Sequence, residues 1–127
     1  MKRYSLIPAG DLLVPVSTKR TSPADFAAAA VGLDDSIWTV ALTFYVKGGN
    51  AGCALAVVFV FVTWDSLREM WDTVPYLTYE VTAVGTAAVQ ETINLETCPE
   101  KLKLLSIQNQ ESSAGYTIVA NVSCFVK

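Results

Sequence analysis

Histidine is absent from the 127 residues of this chain. That removes the usual general base of Ser-His-Asp and Cys-His catalysis, and the commonest ligand of zinc and iron sites. Charge is sparse. Charged residues make up 17% of the sequence, and 9 basic against 12 acidic side chains leave a formal net charge of −3. A nucleic-acid-binding surface shows a clustered basic excess. Here only the pairs Lys2-Arg3 and Lys19-Arg20 stand together, so no nucleic-acid partner is expected. Cysteine is limited to Cys53, Cys98 and Cys124. An odd number without close spacing fits neither a disulfide framework nor a cysteine zinc site, and each reads as a small buried apolar side chain. No apolar h-region follows the basic start, so the expectation is synthesis in a reducing cytoplasm without a cleaved signal peptide. Crossing a bilayer as a helix takes roughly 20 apolar residues, and no run approaches that. No membrane partner and no cofactor are expected.

What remains is apolar and alternating. Hydrophobic residues make up 52% of the chain, enough for one domain with a real core. The organising stretch is residues 54–63, Ala-Leu-Ala-Val-Val-Phe-Val-Phe-Val-Thr, closed by Trp64. It is apolar on both faces, short and β-branched, which reads as a strand buried between two layers or against a neighbouring subunit. Residues 37–47 precede it with Trp38, Val40, Leu42, Phe44 and Val46 on one face. The glycine-rich turn 48–52 joins the two as an antiparallel hairpin. Alternation returns over residues 76–84, 89–95, 102–108 and 116–126, separated by turn chemistry. In residues 102–108 it places Leu105 and Ile107 on one side, with Leu102 and Leu104 on the other. Residues 1–20 alternate weakly and are broken by Pro8, Gly10 and Pro15, which suits an extended arm or an edge strand. Ser22 as N-cap, Pro23 in the first turn, Asp25 and then Gly32 predict a short helix over residues 23–31. The expected fold is all-β: an antiparallel β-sandwich or jelly roll of about 7–8 strands, with an extended arm over 1–20 and one domain over 21–127.

Few groupings could carry chemistry. Asp65, Glu69 and Asp72 could form a carboxylate pair for glycoside hydrolysis, but they share one charged loop where surface carboxylates are ordinary. Asp34-Asp35 could join a calcium site, or cap the turn entering the next strand. Gly48-Gly49-Asn50-Ala51-Gly52 lacks the Lys and Ser/Thr of a phosphate loop. No enzyme activity is expected. Trp64, Asp65, Trp71 and Asp72 form a possible ligand or interface loop, with indoles to stack a sugar and carboxylates to hold its hydroxyls. The alternative reading has Trp64 capping the core and Trp71 packing the loop down. Two-sided apolar strands in so small a sandwich point to a contact between subunits, hence to a homo-oligomer.

The segments Thr92-Ile93-Asn94-Leu95 and Lys101-Leu-Lys-Leu-Leu-Ser-Ile-Gln-Asn109, then a polar turn and a closing strand, resemble small β-sandwich virion proteins of tailed bacteriophages. The resemblance lies in the order of parts over most of the chain. It implies a non-enzymatic structural protein of a virion, most simply a capsid decoration (cement) protein made in the host cytoplasm. Its partners would be other copies, a trimer being favoured, and virion proteins such as the major capsid protein. The subunit-contact arm would then use Lys2, Arg3, Tyr4, Leu6, Ile7, Leu12, Leu13 and Val14. The architecture also resembles galactose-binding-like carbohydrate modules, which implies a second function through Trp64 and Trp71. One sandwich hosts many functions, so architecture alone does not choose between them.

Overall fold

The structure, a computed structural model, describes residues 2–32, 40–95, 100–111 and 117–126. Asp34, Asp35, Ile37, Trp38, Cys98 and Tyr116 lie outside the described residues. Every regular element among those described is a strand. They are β1 (Lys2–Ser5), β2 (Leu12–Pro15), β3 (Lys19–Thr21), β4 (Val31–Gly32), β5 (Val40–Gly48) and β6 (Ala56–Asp65). After them come β7 (Met70–Trp71), β8 (Leu77–Thr82), β9 (Ala88–Leu95), β10 (Lys101–Asn109) and β11 (Thr117–Val126). All pairs are antiparallel, in two sheets. The first has the order β1-β11-β5-β9, with β2 also on β11. The second has the order β3-β10-β6-β7, with β4 on β10 and β8 on β6. This is the expected all-β sandwich. The long alternating segments became β5, β6, β8, β9, β10 and β11, and short strands raise the number above the expected 7–8.

Period-2 alternation builds the core. Val40, Leu42, Phe44 and Val46 of β5 face Val57, Phe59 and Phe61 of β6, all fully buried. Phe44 sits 4.9 Å from Phe59 and 5.9 Å from Phe61, between ring centroids. Burying each such ring contributes about 1.5–3 kcal/mol. β10 departs from strict alternation. A bulge between Leu104 and Ser106 shifts the register, so Leu102, Leu104 and Ile107 share the buried side. Ile107 thus joins Leu102 and Leu104, contrary to the strict alternation of the sequence. Just past β10, the buried Glu111 carboxylate accepts the amides of Ala54 and Leu55. Nearby, at the end of β5, Gly48 marks a close approach. A Cβ there would collide with the Gly85 carbonyl and lie 2.7 Å from Cys53 Sγ.

Of the two readings of the amino-terminal segment, arm or edge strand, the pairing fits the edge strand. β1 and β2 both pair with β11, and β3 pairs with β10. Leu6 and Ile7 lie in the turn after β1, where the Leu6 amide donates to Val122 (2.9 Å) and the Gly10 amide to Ile7 (2.8 Å). Gly10 has φ +86°, which allows the reversal into β2. Leu6, Ile7 and Val14 are fully buried in the core, so these three have no surface to offer a neighbour. The segment is extended, but it is part of the sandwich.

No helix forms over the described residues 23–31. The Asp25 amide closes one turn onto Thr21 (2.8 Å), and the Asp25 carboxylate accepts the Thr21 amide (2.8 Å). Beyond that turn the backbone bonds elsewhere. Ser22 donates its amide to Leu105 (2.8 Å) and its hydroxyl to Leu104 (2.9 Å), and Ala29 donates to Leu6 (3.1 Å). Phe26 and Val31 are buried against the core. Tertiary hydrogen bonds and burial override a local helical preference of a few tenths of a kcal/mol per residue.

Candidate functional site

The outward face of β6 meets most of its apolar demand inside the chain: Val62 and Val58 are buried and Val60 is half-buried. Trp64 continues that face. The β6–β7 hairpin sets Trp64 opposite Trp71 and Asp65 opposite Met70. The indoles meet edge to face, 5.4 Å between centroids at 78°. Lys101 Nζ stands 4.9 Å over the Trp64 ring and Lys103 Nζ 4.5 Å over the Trp71 ring. Lys103 pairs with Val62, so its chain crosses β6 to reach Trp71 on the far side. Burial pulls the Lys103 pKa below the usual lysine value.

The connecting turn is held by Asp65, whose Oδ1 accepts the amides of Leu67 (2.9 Å) and Arg68 (3.1 Å). Arg68 then bridges both carboxylates, Nε to Asp65 Oδ2 at 2.7 Å and Nη2 to Asp72 Oδ1 at 2.8 Å. Hydrogen bonding from Arg68 holds the Asp65 carboxyl below its usual range and raises the guanidinium in return. The structure therefore brings Trp64, Asp65, Trp71 and Asp72 together, as the sequence suggested. Both carboxylates are engaged by Arg68, and each indole carries a lysine. A sugar stacking here competes with a cation already in place. A carboxyl held low is also no proton donor near neutral pH.

The proposed arm residues are scattered by the fold. Lys2 lies in β1, and Arg3 stacks on Phe125 with Cζ 4.0 Å from the ring centroid. Tyr4 is exposed, Leu12 packs against the core, and Leu13 is 57% exposed on β2. Arg3, Tyr4 and Leu13 are thus the accessible side chains of this group, together with none of the buried Leu6, Ile7 and Val14.

The sandwich is closed on one side and open on the other. Leu6, Ile7, Val14, Phe26 and Val31 seal the side of β1–β4. On the opposite side β9 ends its sheet and β8 lies at the margin of the other, with no further strand beyond either among the described residues. There the core reaches solvent: Leu77, Tyr79, Val89, Ile93 and Leu95 pack on it while only partly buried. One polar latch crosses the gap. Tyr79 stacks on Phe44 (4.9 Å, 23°) and donates its hydroxyl to Glu91 Oε2 at 2.8 Å. That hydrogen bond, with burial, raises the Tyr79 phenol above its usual value. The chain flanking β7 and β8 adds Leu67 (96% exposed), Val74 (70%) and Val84 (63%), with Met70 and Tyr76 also exposed.

Sequence reasoning missed this margin, because β9 reads like any half-buried strand. One signal was available: Glu91 occupies an inward position between Val89 and Ile93, and inward charge is a mark of edge strands. Among the described residues no cluster of three His, Cys, Asp or Glu side chains could hold a metal ion.

No protein-family model and no curated protein matches the sequence. Solved structures do resemble the fold. The K1 cleaved adhesin domain of Lys-gingipain from Porphyromonas gingivalis W83 gives a TM-score of 0.50 at 14% identity, over 99% of this chain and 98% of that one. Tripeptidyl peptidase 2 gives 0.54 at 9% identity, over 98% of this chain but only 10% of the peptidase chain. A carbohydrate-binding module, CBM36 in complex with calcium and xylotriose, gives 0.46 at 11% identity over the whole of both chains. The first two likenesses are of fold alone, and the third falls below the level that carries an argument.

Proposed function

We propose that this chain is a non-catalytic structural β-sandwich that works by burying its open margin against neighbouring subunits, as a capsid decoration (cement) protein of a phage virion does. The observation that carries the reading is the placement of apolar exposure. The exposed Leu67, Val74 and Tyr76 lie toward one end of the margin and Val84 at the other, with the partly buried Leu77, Val89, Ile93 and Leu95 along it. Apolar side chains left exposed along such a margin mark an interaction site. On this reading the partners are further copies and the major capsid protein, and the place of action is the virion.

Light scattering after size exclusion tests the assembly. The wild-type chain is expected to run above the 13.7 kDa of one copy. Leu67→Asp with Val74→Asp, both at exposed positions, is expected to lower the mass without lowering the melting temperature. A monomer at every concentration up to millimolar refutes self-assembly. The virion location is tested by peptide mass spectrometry of purified particles whose genome encodes the chain; absence from them refutes it.

A second reading, a carbohydrate-binding module, is supported by the indole pair at the surface. It expects Trp71→Ala to abolish retardation in affinity gels containing soluble polysaccharide while melting changes little. Failure of the wild-type chain to be retarded by any polysaccharide removes it.

A further inference from the structure

Resting on the assembly reading, the geometry points to one particular contact: the free edge of β9 pairs with β9 of a second copy, antiparallel and centred on Thr92. Across that two-fold axis the five-stranded sheets of two copies would join into one.

Three observations carry this. First, β9 is a long edge. Its residues Ala88–Leu95 are hydrogen-bonded to β5 on one side, without proline or a register break, and no strand covers the other side among the described residues. Such an edge is a template for another strand unless charge, proline or a bulge protects it. β9 holds a single charged residue, the inward Glu91, whose carboxylate is taken up by the Tyr79 hydroxyl of its own copy. Second, the partly buried Val89, Ile93 and Leu95 line that edge on the core side, and a partner strand would cover them. Third, the pattern of β9 is self-complementary in one register.

The register follows from overlap, parity and charge: axes through residues 91 and 92 pair the greatest length of Ala88–Leu95. A two-fold axis normal to the sheet keeps inward residues opposite inward ones, so only same-parity pairings are allowed. Centring on Glu91 would set that carboxylate against its own copy, which is destabilising. Moving the axis to Thr92 places Thr92 opposite Thr92 of the second copy. Gln90 then opposes Asn94 on the outer face. Inward, Glu91 opposes Ile93 and Val89 opposes Leu95. The outer face becomes a row of neutral polar pairs, the inner face gains apolar Val89–Leu95 pairs, and no like charges stand directly opposite, the two Glu91 being diagonal neighbours about 7–8 Å apart. The axis also leaves the Tyr79–Glu91 latch within each copy. The contact is two-fold and isologous, where the resemblance implied a trimer.

Directly opposed antiparallel residues have Cα atoms about 4.5–5.5 Å apart, within the range a disulfide spans. In a Cys98→Ser background, Thr92→Cys is therefore expected to form a covalent dimer on mild oxidation. Gln90→Cys, about four residues along the strand from its own copy, is expected to stay monomeric on a non-reducing gel. Thr92→Lys, at an exposed position, sets two ammonium groups together on the axis; it is expected to turn a mass of about 27 kDa, twice that of one copy, into 13.7 kDa. Circular dichroism melting of each variant shows whether the sandwich has formed, and Asn94→Lys serves if Thr92→Lys does not fold. An oligomer that survives the edge lysine and yields no Thr92→Cys dimer overturns the β9 contact while leaving assembly through the Leu67–Val74 surface standing. A wild-type monomer overturns both.

Discussion

Replacing Ile7 by alanine tests whether the amino-terminal segment belongs to the core. Ile7 is fully buried in the turn between β1 and β2, beside the equally buried Leu6. Removing its buried carbons costs their transfer free energy plus a cavity term, about 2–5 kcal/mol for Ile→Ala. Ile7 keeps no exposed surface, which excludes the low end of that range, and about 3–4 kcal/mol is expected. The unfolding entropy of a 127-residue chain is about 270 cal/mol/K at roughly 2.1 cal/mol/K per residue, so each kcal/mol lowers Tm by about 4 °C. Ile7→Ala is therefore expected to melt roughly 11–15 °C below wild type by calorimetry, with a matching fall in the urea midpoint at unchanged m-value. Leu13→Ala is the internal control. It lies in the same segment but is 57% exposed, so its shift should stay within about 2 °C. Equal and small shifts for the two variants would refute the incorporation of residues 2–20 and restore a detachable arm.

Three further outcomes follow from the same structure. Gly48→Ala drives a methyl group into the Gly85 carbonyl and toward Cys53 Sγ, and a loss of at least about 3 kcal/mol is expected in urea denaturation; a loss under about 1 kcal/mol refutes the close approach. Glu111→Ala removes the acceptor of the Ala54 and Leu55 amides and should cost about 2 kcal/mol or more, whereas Glu100→Ala, at an exposed position, should cost almost nothing. The last concerns alkali. Burial pushes the Cys124 thiol from 9.0 up to about 11, so below pH 9 both states keep the proton and stability is unaffected. Between pH 9 and 11 the unfolded thiol ionises ahead of the folded one, which removes about 2 kcal/mol by pH 11. The raised Tyr79 phenol adds loss of the same sign above its ordinary value of 10.0. Cys124→Ser should flatten the pH 9–11 decline in melting temperature, and an unchanged decline would refute the assignment.

How much of this was legible beforehand depended on whether a segment alternates. β5, β6, β8 and β9 turn every second side chain toward the core, though β5 and β6 bury much of their other face too, and that period is visible without coordinates. Leu6 and Ile7 are adjacent and both buried because the chain reverses there, so no period announces them. Residues 23–31 carry correct capping chemistry, yet Ser22 and Ala29 give their amides to Leu105 and Leu6, partners distant in sequence. Ile107 joins Leu104 on the buried side through a bulge that no spacing rule exposes. At the candidate site, the Trp64–Trp71 loop was evident from its composition. The lysines over its rings come from β10, some 30 residues on, and were not. The open margin depends on which strands end each sheet, and that is a property of topology.

The strand order also bears on how the chain is made. β10 and β11 stand in the interiors of the two sheets, yet they are the last two strands in sequence. Until residues 101–126 leave the ribosome, β1 and β2 have nothing to pair with, and β3 and β4 lack theirs as well. The nascent chain can form the β5–β9 and β6–β8 ladders, but each remains a one-sided fragment with its apolar face uncovered. Synthesis thus leaves Val57, Phe59 and Phe61 without the cover of β10 until residues 101–126 have emerged, and the sandwich closes only then.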